Sequence, residues 1–159
     1  MFASMTGVLT FAVKNVVKQL CKKDSKRLTE IINSTPCVNK ANAEFTKCYT
    51  QVIDSLQGAK YANESKRIPH LCCEYYKMYP CFYERTKRFP ICSTKKVDTV
   101  SDFVRNIFDN MVGLICGDYT ENSDKCDHLE LPPKKPKNDK RTKSFAIPLI
   151  EILSSFPEI

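Results

Sequence analysis

The sequence predicts an all-α fold. It reads as a small disulfide-stapled helical domain built around an antiparallel helix hairpin, with a basic, disordered C-terminal linker. Three observations predict it. Eight of the nine cysteines (Cys37, Cys48, Cys72, Cys73, Cys81, Cys92, Cys116 and Cys126) crowd the middle of a 159-residue chain. Apolar residues in the same stretch recur at helical spacing. No segment keeps the period-two alternation of a half-buried strand for more than a few residues.

The organisation follows from shifts in composition. Residues 1–23 form an N-terminal amphipathic helix or an atypical signal segment, and 24–130 the stapled helical domain. Residues 131–143 form a basic Pro/Lys linker, and 144–159 an apolar tail. An apolar fraction of 42 % suffices for one core. The N-terminal segment is apolar from Met1 to Val13, but no Lys or Arg precedes it and no clear small-x-small cleavage site follows. Leu9, Val13, Val16, Val17 and Leu20 fall on one helical stripe, which favours the helix.

The domain's helices can be taken in order. Asp24 to Asn33 predicts a short helix ending before Pro36. Phe45, Cys48, Tyr49, Val52, Ile53 and Leu56 follow the cleanest helical period in the chain, with Asn39 or Asn42 as a cap and Gly58 near the end. Ile68, Leu71, Cys72, Tyr75, Tyr76 and Tyr79 predict a second helix stopped at Pro80. A third runs from about Asp98 to Ile115 through Val100, Phe103, Val104, Ile107, Phe108, Met111 and Val112, with Gly117 as its cap.

The cysteines fit such a hairpin. A turn near Ala62 places Cys48 opposite the Cys72-Cys73 pair and Cys37 within a turn of Cys81, close enough for bridging. Neighbouring positions point about 100° apart on a helix. One of the vicinal pair therefore reaches Cys48 and the other Cys116, leaving Cys92 and Cys126 as a possible pair. Each bridge contributes on the order of 2–4 kcal/mol. Cys21 is the unpaired candidate.

Metal chemistry is disfavoured. The chain has no C-x-x-C and only two histidines, His70 and His128, both expected at the surface. No metal site and no cofactor is expected. The cysteine usage instead predicts an oxidising, extracellular setting, although the chain shows no convincing signal peptide. Asn33 and Asn63 head two N-x-S/T sequons and are glycosylation candidates.

After Cys126 the stretch Leu131 to Lys143 has three prolines and six basic residues without apolar period, and reads as a solvated spacer. No aromatic residue is interleaved with it, so no nucleic-acid platform is expected. The last segment, with Phe145, Ile147, Leu149, Ile150, Ile152, Leu153 and Phe156, is too short for a membrane span of about 20 residues. Glu151 and Glu158 weigh against an anchor signal, and a helix docking on the domain or on a partner is favoured. Residues after Pro132 are expected to be dispensable for folding.

The run from His70 through Cys72-Cys73-Glu74-Tyr75-Tyr76-Lys77 to Cys81 invites comparison with secreted phospholipase A2, whose catalytic helix carries C-C-x-x-H-D-x-C. Here no His-Asp dyad follows the vicinal pair, and four glycines leave no room for a glycine-rich calcium loop. Insect odorant-binding proteins have C-x-x-x-C and C-x(8)-C spacings that do not map either. From Cys37 to Cys126 the vicinal pair, the aromatic residues after it and the later spaced cysteines resemble secreted helical cysteine-rich proteins of arthropods and nematodes. That resemblance implies an extracellular all-α domain and little about activity.

The sequence therefore points to a secreted, non-enzymatic binding or interaction module. No nucleophile, base and orienting residue can be placed together. The alternatives are an extracellular carrier of small apolar ligands, with Tyr75, Tyr76, Tyr79, Phe82, Tyr83 and Phe89 lining a cavity, or a surface-tethered protein using the C-terminal tail. The expected partner is an extracellular protein or a small apolar ligand. No nucleic acid is expected, and membrane tethering is the lesser possibility.

Overall fold

The computed structural model describes residues 2–155. Side-chain placement is outside that description for residues 2–6, 8, 9 and 111, so the expectations for Leu9, Met111 and Phe156 lie outside the described residues. The chain is all-helical, with α1 (Phe2–Leu20), α2 (Lys26–Ala59), α3 (Glu64–Thr86), α4 (Thr94–Cys116), α5 (Asp124–Asp127) and α6 (Ala146–Ser154). Among the described residues there is no strand, and no helix is long and apolar enough to cross a membrane.

α2 and α3 form the antiparallel hairpin, turning at residues 60–63 as expected, but both helices outrun their sequence-predicted ends. α2 passes through Pro36, and α3 passes through Pro69 and Pro80. An internal proline removes one backbone hydrogen bond and costs about 3 kcal/mol. Burial offsets that cost. On α2, Ser34, Cys37, Ala41, Glu44, Cys48, Val52, Leu56 and Ala59 are all buried, an unbroken stripe at the helical period. On α3, Leu71, Cys72, Tyr75, Met78, Tyr79, Phe82 and Thr86 do the same on either side of Pro80.

The chain divides into two compact units, one of Met1–Phe45 with Cys81–Leu114, the other of Thr46–Pro80 with Ile115–Ile159. In the first, Phe45 meets Phe82 edge-to-face at 4.9 Å. The buried Glu44 carboxylate takes ion pairs from Arg85 at 3.5 Å and from Arg88. Cys37 is bridged to Cys92, with Cα atoms 4.9 Å apart. α1 buries Ala12 and Val16 but leaves Val13 and Val17 exposed, so the predicted stripe is only partly used. Val97 and Ser101 of α4 are buried, and the Tyr83 hydroxyl donates to the Asp98 carboxylate.

In the second unit the vicinal cysteines diverge. Cys72 is bridged to Cys116 and Cys73 to Cys126, with Cα separations of 5.6 and 5.5 Å. Cys48 is also disulfide-bonded. The pairing expected from the turn is therefore corrected, except for the reach to Cys116. Cys48 does not join the vicinal pair, and Cys37 joins Cys92 rather than Cys81. Two physical reasons account for it. The hairpin register is shifted, since Phe45 meets Phe82 where an even fold at Ala62 would bring it to Tyr76. α3 also continues to Thr86 before the chain turns, which delivers Cys92 to Cys37.

The second correction concerns the C-terminal segment. Residues 131–143 carry no helix, but they lie along α2 instead of standing free. Gln57 clamps them twice, its Nε2 donating to the Lys140 carbonyl (2.9 Å) and its Oε1 accepting from the Thr142 amide (3.4 Å). Arg141 forms a bidentate pair with Asp54 at 3.1 and 2.7 Å. Lys60 bridges Asp139 (2.9 Å) and Glu151 (3.1 Å). Burial works against the Lys60 charge, but hydrogen bonds to these two carboxylates outweigh it and raise its pKa. The segment ends in α6, which buries Pro148, Leu149, Ile152 and Leu153.

Candidate functional site

An apolar surface groove of about 640 Å³ lies in the first unit, lined by Pro36, Asn39, Lys40, Phe89, Pro90 and Ile91. Its construction can be followed from the sequence. Pro36, Asn39 and Lys40 stand at i, i+3 and i+4 on α2, so they form one wall. The facing wall is the loop after α3, where the Cys92 amide donates to the Phe89 carbonyl (2.8 Å) in a tight turn. The Cys37–Cys92 bridge ties that loop to α2 one residue beyond Pro36. Lys96 Nζ holds the Ile91 carbonyl at 3.1 Å. The Arg88 guanidinium lies 5.1 Å from the centre of the Phe89 ring while it pairs with Glu44. The loop is thus fixed by a covalent bond, a cation over a ring and an ion pair.

Ile91 is 42 % exposed at the groove, and Ile32, one helical turn before Pro36, is 58 % exposed. Among the described residues of the lining, Lys40 is the only ionisable one. The chemistry offered is therefore apolar contact beside one cation, with no nucleophile or acid–base pair in the lining.

A second recess of about 340 Å³ is polar. It is lined by Tyr76, Lys77 and Pro80 of α3, the loop residues Thr120, Glu121, Asn122 and Ser123, and Cys126 and Asp127 beside the Cys73–Cys126 bridge. Ser123 caps α5 by accepting from the Lys125 amide.

The sequence-predicted residues fall as follows. All eight disulfide candidates are bonded, and Cys21 is free and exposed. Asn33 sits on an exposed position of α2 and Asn63 in the exposed turn before α3. Among the described residues the aromatic patch is divided between the core and two separate recesses, with Tyr76 at the polar one. Tyr75 and Tyr79 are buried, joined by a hydrogen bond of 2.6 Å between their hydroxyls and by an edge-to-face contact at 5.5 Å. Phe82 is buried against Phe45. Phe89 alone among them lines the apolar groove.

His128 caps α5 and is exposed, as expected. His70 is not at the surface. It is 2 % exposed, because it shares a face of α3 with Cys73 and Glu74, at i+3 and i+4, which are buried as well. Burial pushes its pKa below the ordinary value; Glu74 opposes the shift, and Lys66 and Lys77 add to it. Among the described residues no group of three His, Cys, Asp or Glu side chains is placed to hold a metal ion. Sequence reasoning missed the groove, since Pro36 and Pro90 read as punctuation. The signal available was Phe89-Pro90-Ile91 directly before Cys92, apolar residues in a loop pinned by a cysteine.

Comparison with protein-family models, curated proteins and solved structures finds no match to this chain.

Proposed function

We propose that this chain is a secreted, glycosylated, non-enzymatic interaction module. It engages an extracellular protein partner through the groove between α2 and the Phe89–Ile91 loop. One observation carries the reading. The aromatic residues that a carrier would need around a cavity are packed into the core as Tyr75, Tyr79 and Phe82, whereas Ile91 stays in solvent at the groove. Apolar side chains held at the surface by a disulfide and an ion pair are the usual make-up of a protein contact. Lys40 at the rim, in a chain of formal charge +7, favours a partner whose apolar anchor is flanked by acidic residues. The bridges of the domain support an oxidising compartment.

A carrier of apolar ligands is the second reading, with the same groove as its mouth. The tail-tethered reading loses its support, because α6 directs Leu149, Ile152 and Leu153 into the fold.

Labelled, oxidised protein applied to cells of its own source tests the reading. Saturable surface binding that is lost in Ile91→Glu and Lys40→Glu supports it. Native mass spectrometry showing a co-purified apolar small molecule, displaced by an apolar fluorophore, favours the carrier instead.

A further inference from the structure

The turn of the hairpin holds a sequon and an aromatic ring in one short span, Tyr61-Ala62-Asn63-Glu64-Ser65. We propose that Asn63 carries an N-linked glycan whose first N-acetylglucosamine stacks on the ring of Tyr61, making the turn between α2 and α3 a glycan platform. The proposal rests on the secreted reading above and names a modification site within it.

The turn is built for this. Its backbone is fixed by the Tyr61 amide donating to Gly58 (2.9 Å) and the Ala62 amide donating to Ala59 (2.9 Å). Lys66 N–H reaches back to the Asn63 carbonyl at 2.8 Å, opening α3. Arg67 Nε donates to the Ala62 carbonyl at 3.1 Å. Ala62 is buried, so the two residues on either side of it are turned outward. Asn63, Glu64 and Ser65 are all exposed, which leaves the amide nitrogen and the required hydroxyl open to solvent.

Tyr61 is 47 % exposed. Lys60 Nζ, which pairs with Asp139 and Glu151, lies 5.2 Å from its ring centre. A ring two residues before the acceptor offers its electron-rich face to the C–H-bearing face of the sugar. Asn33 differs. It lies inside α2 with Ile31 two residues before it and no aromatic residue between Ile31 and Thr35. A glycan there has no such ring to stack on.

The transfer balances with a lipid-linked pyrophosphoryl oligosaccharide as donor. The Asn63 Nδ2–C1 bond forms, and the C1–O bond to phosphate breaks. The lipid pyrophosphate leaves, and the amide proton passes to the transferase.

The full chain, expressed in eukaryotic cells behind a cleavable secretory leader, tests the proposal. Intact mass is read before and after amidase removal of N-glycans, alongside thiol content and Tm. The expected result is a glycan lost in Asn63→Gln, and a Tm that falls by a few degrees when the amidase strips the native chain. That fall persists in Asn33→Gln and in Tyr61→Phe, which keeps the ring, and vanishes in Tyr61→Ala. Protons of the first sugar are shifted upfield by the ring in the native chain and in Tyr61→Phe, and not in Tyr61→Ala. An unmodified Asn63 in a chain with oxidised cysteines overturns the site and leaves the secreted reading standing. Reduced cysteines with both sequons empty overturn both. A glycan whose removal changes Tm equally with and without the Tyr61 ring overturns the stacking.

Discussion

Gly58 lies directly against Pro133. A β-carbon built on Gly58 stands 1.9 Å from the Pro133 carbonyl oxygen and 3.1 Å from its carbon. The glycine is the gap through which the C-terminal segment crosses α2. Gly58→Ala raises helix propensity by about 1 kcal/mol, yet it places a methyl group on a backbone atom that cannot rotate away. The net expectation is a loss of about 1–3 kcal/mol, read as a lower urea midpoint, with faster amide exchange at Thr142. A Gly58→Ala protein as stable as the parent would show that the segment does not cross there.

Ending the chain at Pro132 removes the Gln57 clamp, the Asp54–Arg141 pair and α6 together. Leu149, Ile152 and Leu153 are each buried, and each such side chain contributes about 1.5–3 kcal/mol when fully covered. The truncated protein is expected to melt several degrees lower or to precipitate, whereas the composition of the segment predicts no effect. An unchanged Tm restores the solvated-spacer picture.

Those two segments show where the sequence was legible. Helix existence was readable, because Phe45 to Leu56 and Val100 to Ile115 keep the helical period and Gly117 adopts the φ of 52° that its capping role needs. Helix ends were not, because Pro36 and Pro80 are strong local stops overridden by buried stripes that only exist once α2 and α3 face each other. Disulfide partners inherit that error, since one turn of extra helix moves every facing position. The docking of residues 131–143 was hidden for a different reason. It rests on Gln57 and Asp54 of α2 and on Lys60 just after it, polar residues whose partners lie far along the chain, and no local pattern reports such pairs. The groove at Phe89 depends on a bridge across 55 residues and was hidden in the same way.

The vicinal cysteines give a direct test of the connectivity. Cys126→Ala is expected to leave a single new thiol at Cys73, with Cys72 still bridged to Cys116. Closing a loop of 53 residues contributes about 4 kcal/mol on the chain-entropy model, so the variant unfolds at markedly lower denaturant. Alkylation of the unreduced, unfolded variant followed by peptide sequencing locates the thiol. A label on Cys72 or Cys48 instead would refute this pairing.

Glu44 is buried, while its partners Arg85 and Arg88 reach it from the solvent side, with side chains 35 % and 60 % exposed. Replacing both arginines by alanine strips two cations from a carboxylate that stays inside. The expected cost is about 1–3 kcal/mol, with Glu44→Gln in the same background recovering part of it. Because Arg88 also lies over Phe89, the double variant is expected to loosen the groove loop. Proteolysis near Ile91 should then rise before the global Tm is reached.

His70 makes stability depend on pH in a window that the carboxylates leave clear. Its folded pKa is lowered from 6.5, first by burial and then by Lys66 and Lys77 against the opposing Glu74. As pH falls, the unfolded chain takes up the proton first. The stabilisation is therefore complete above about 6.5 and is lost progressively below it, with a slope approaching about 1.4 kcal/mol per pH unit for one proton. Asp118, Glu130 and Asp139 are lowered by hydrogen bonds from Lys125, Lys66 and Lys60 respectively, from ordinary values of 3.8, 4.5 and 3.8. Their contributions are present above those values and fade only below them. Urea melts at pH 7.5 and pH 5.0 thus isolate the histidine. The parent chain is expected to be less stable at pH 5.0, His70→Gln to lose most of that difference, and the exposed His128→Gln to keep it. If His70→Gln retains the full pH dependence, the buried imidazole is not its source.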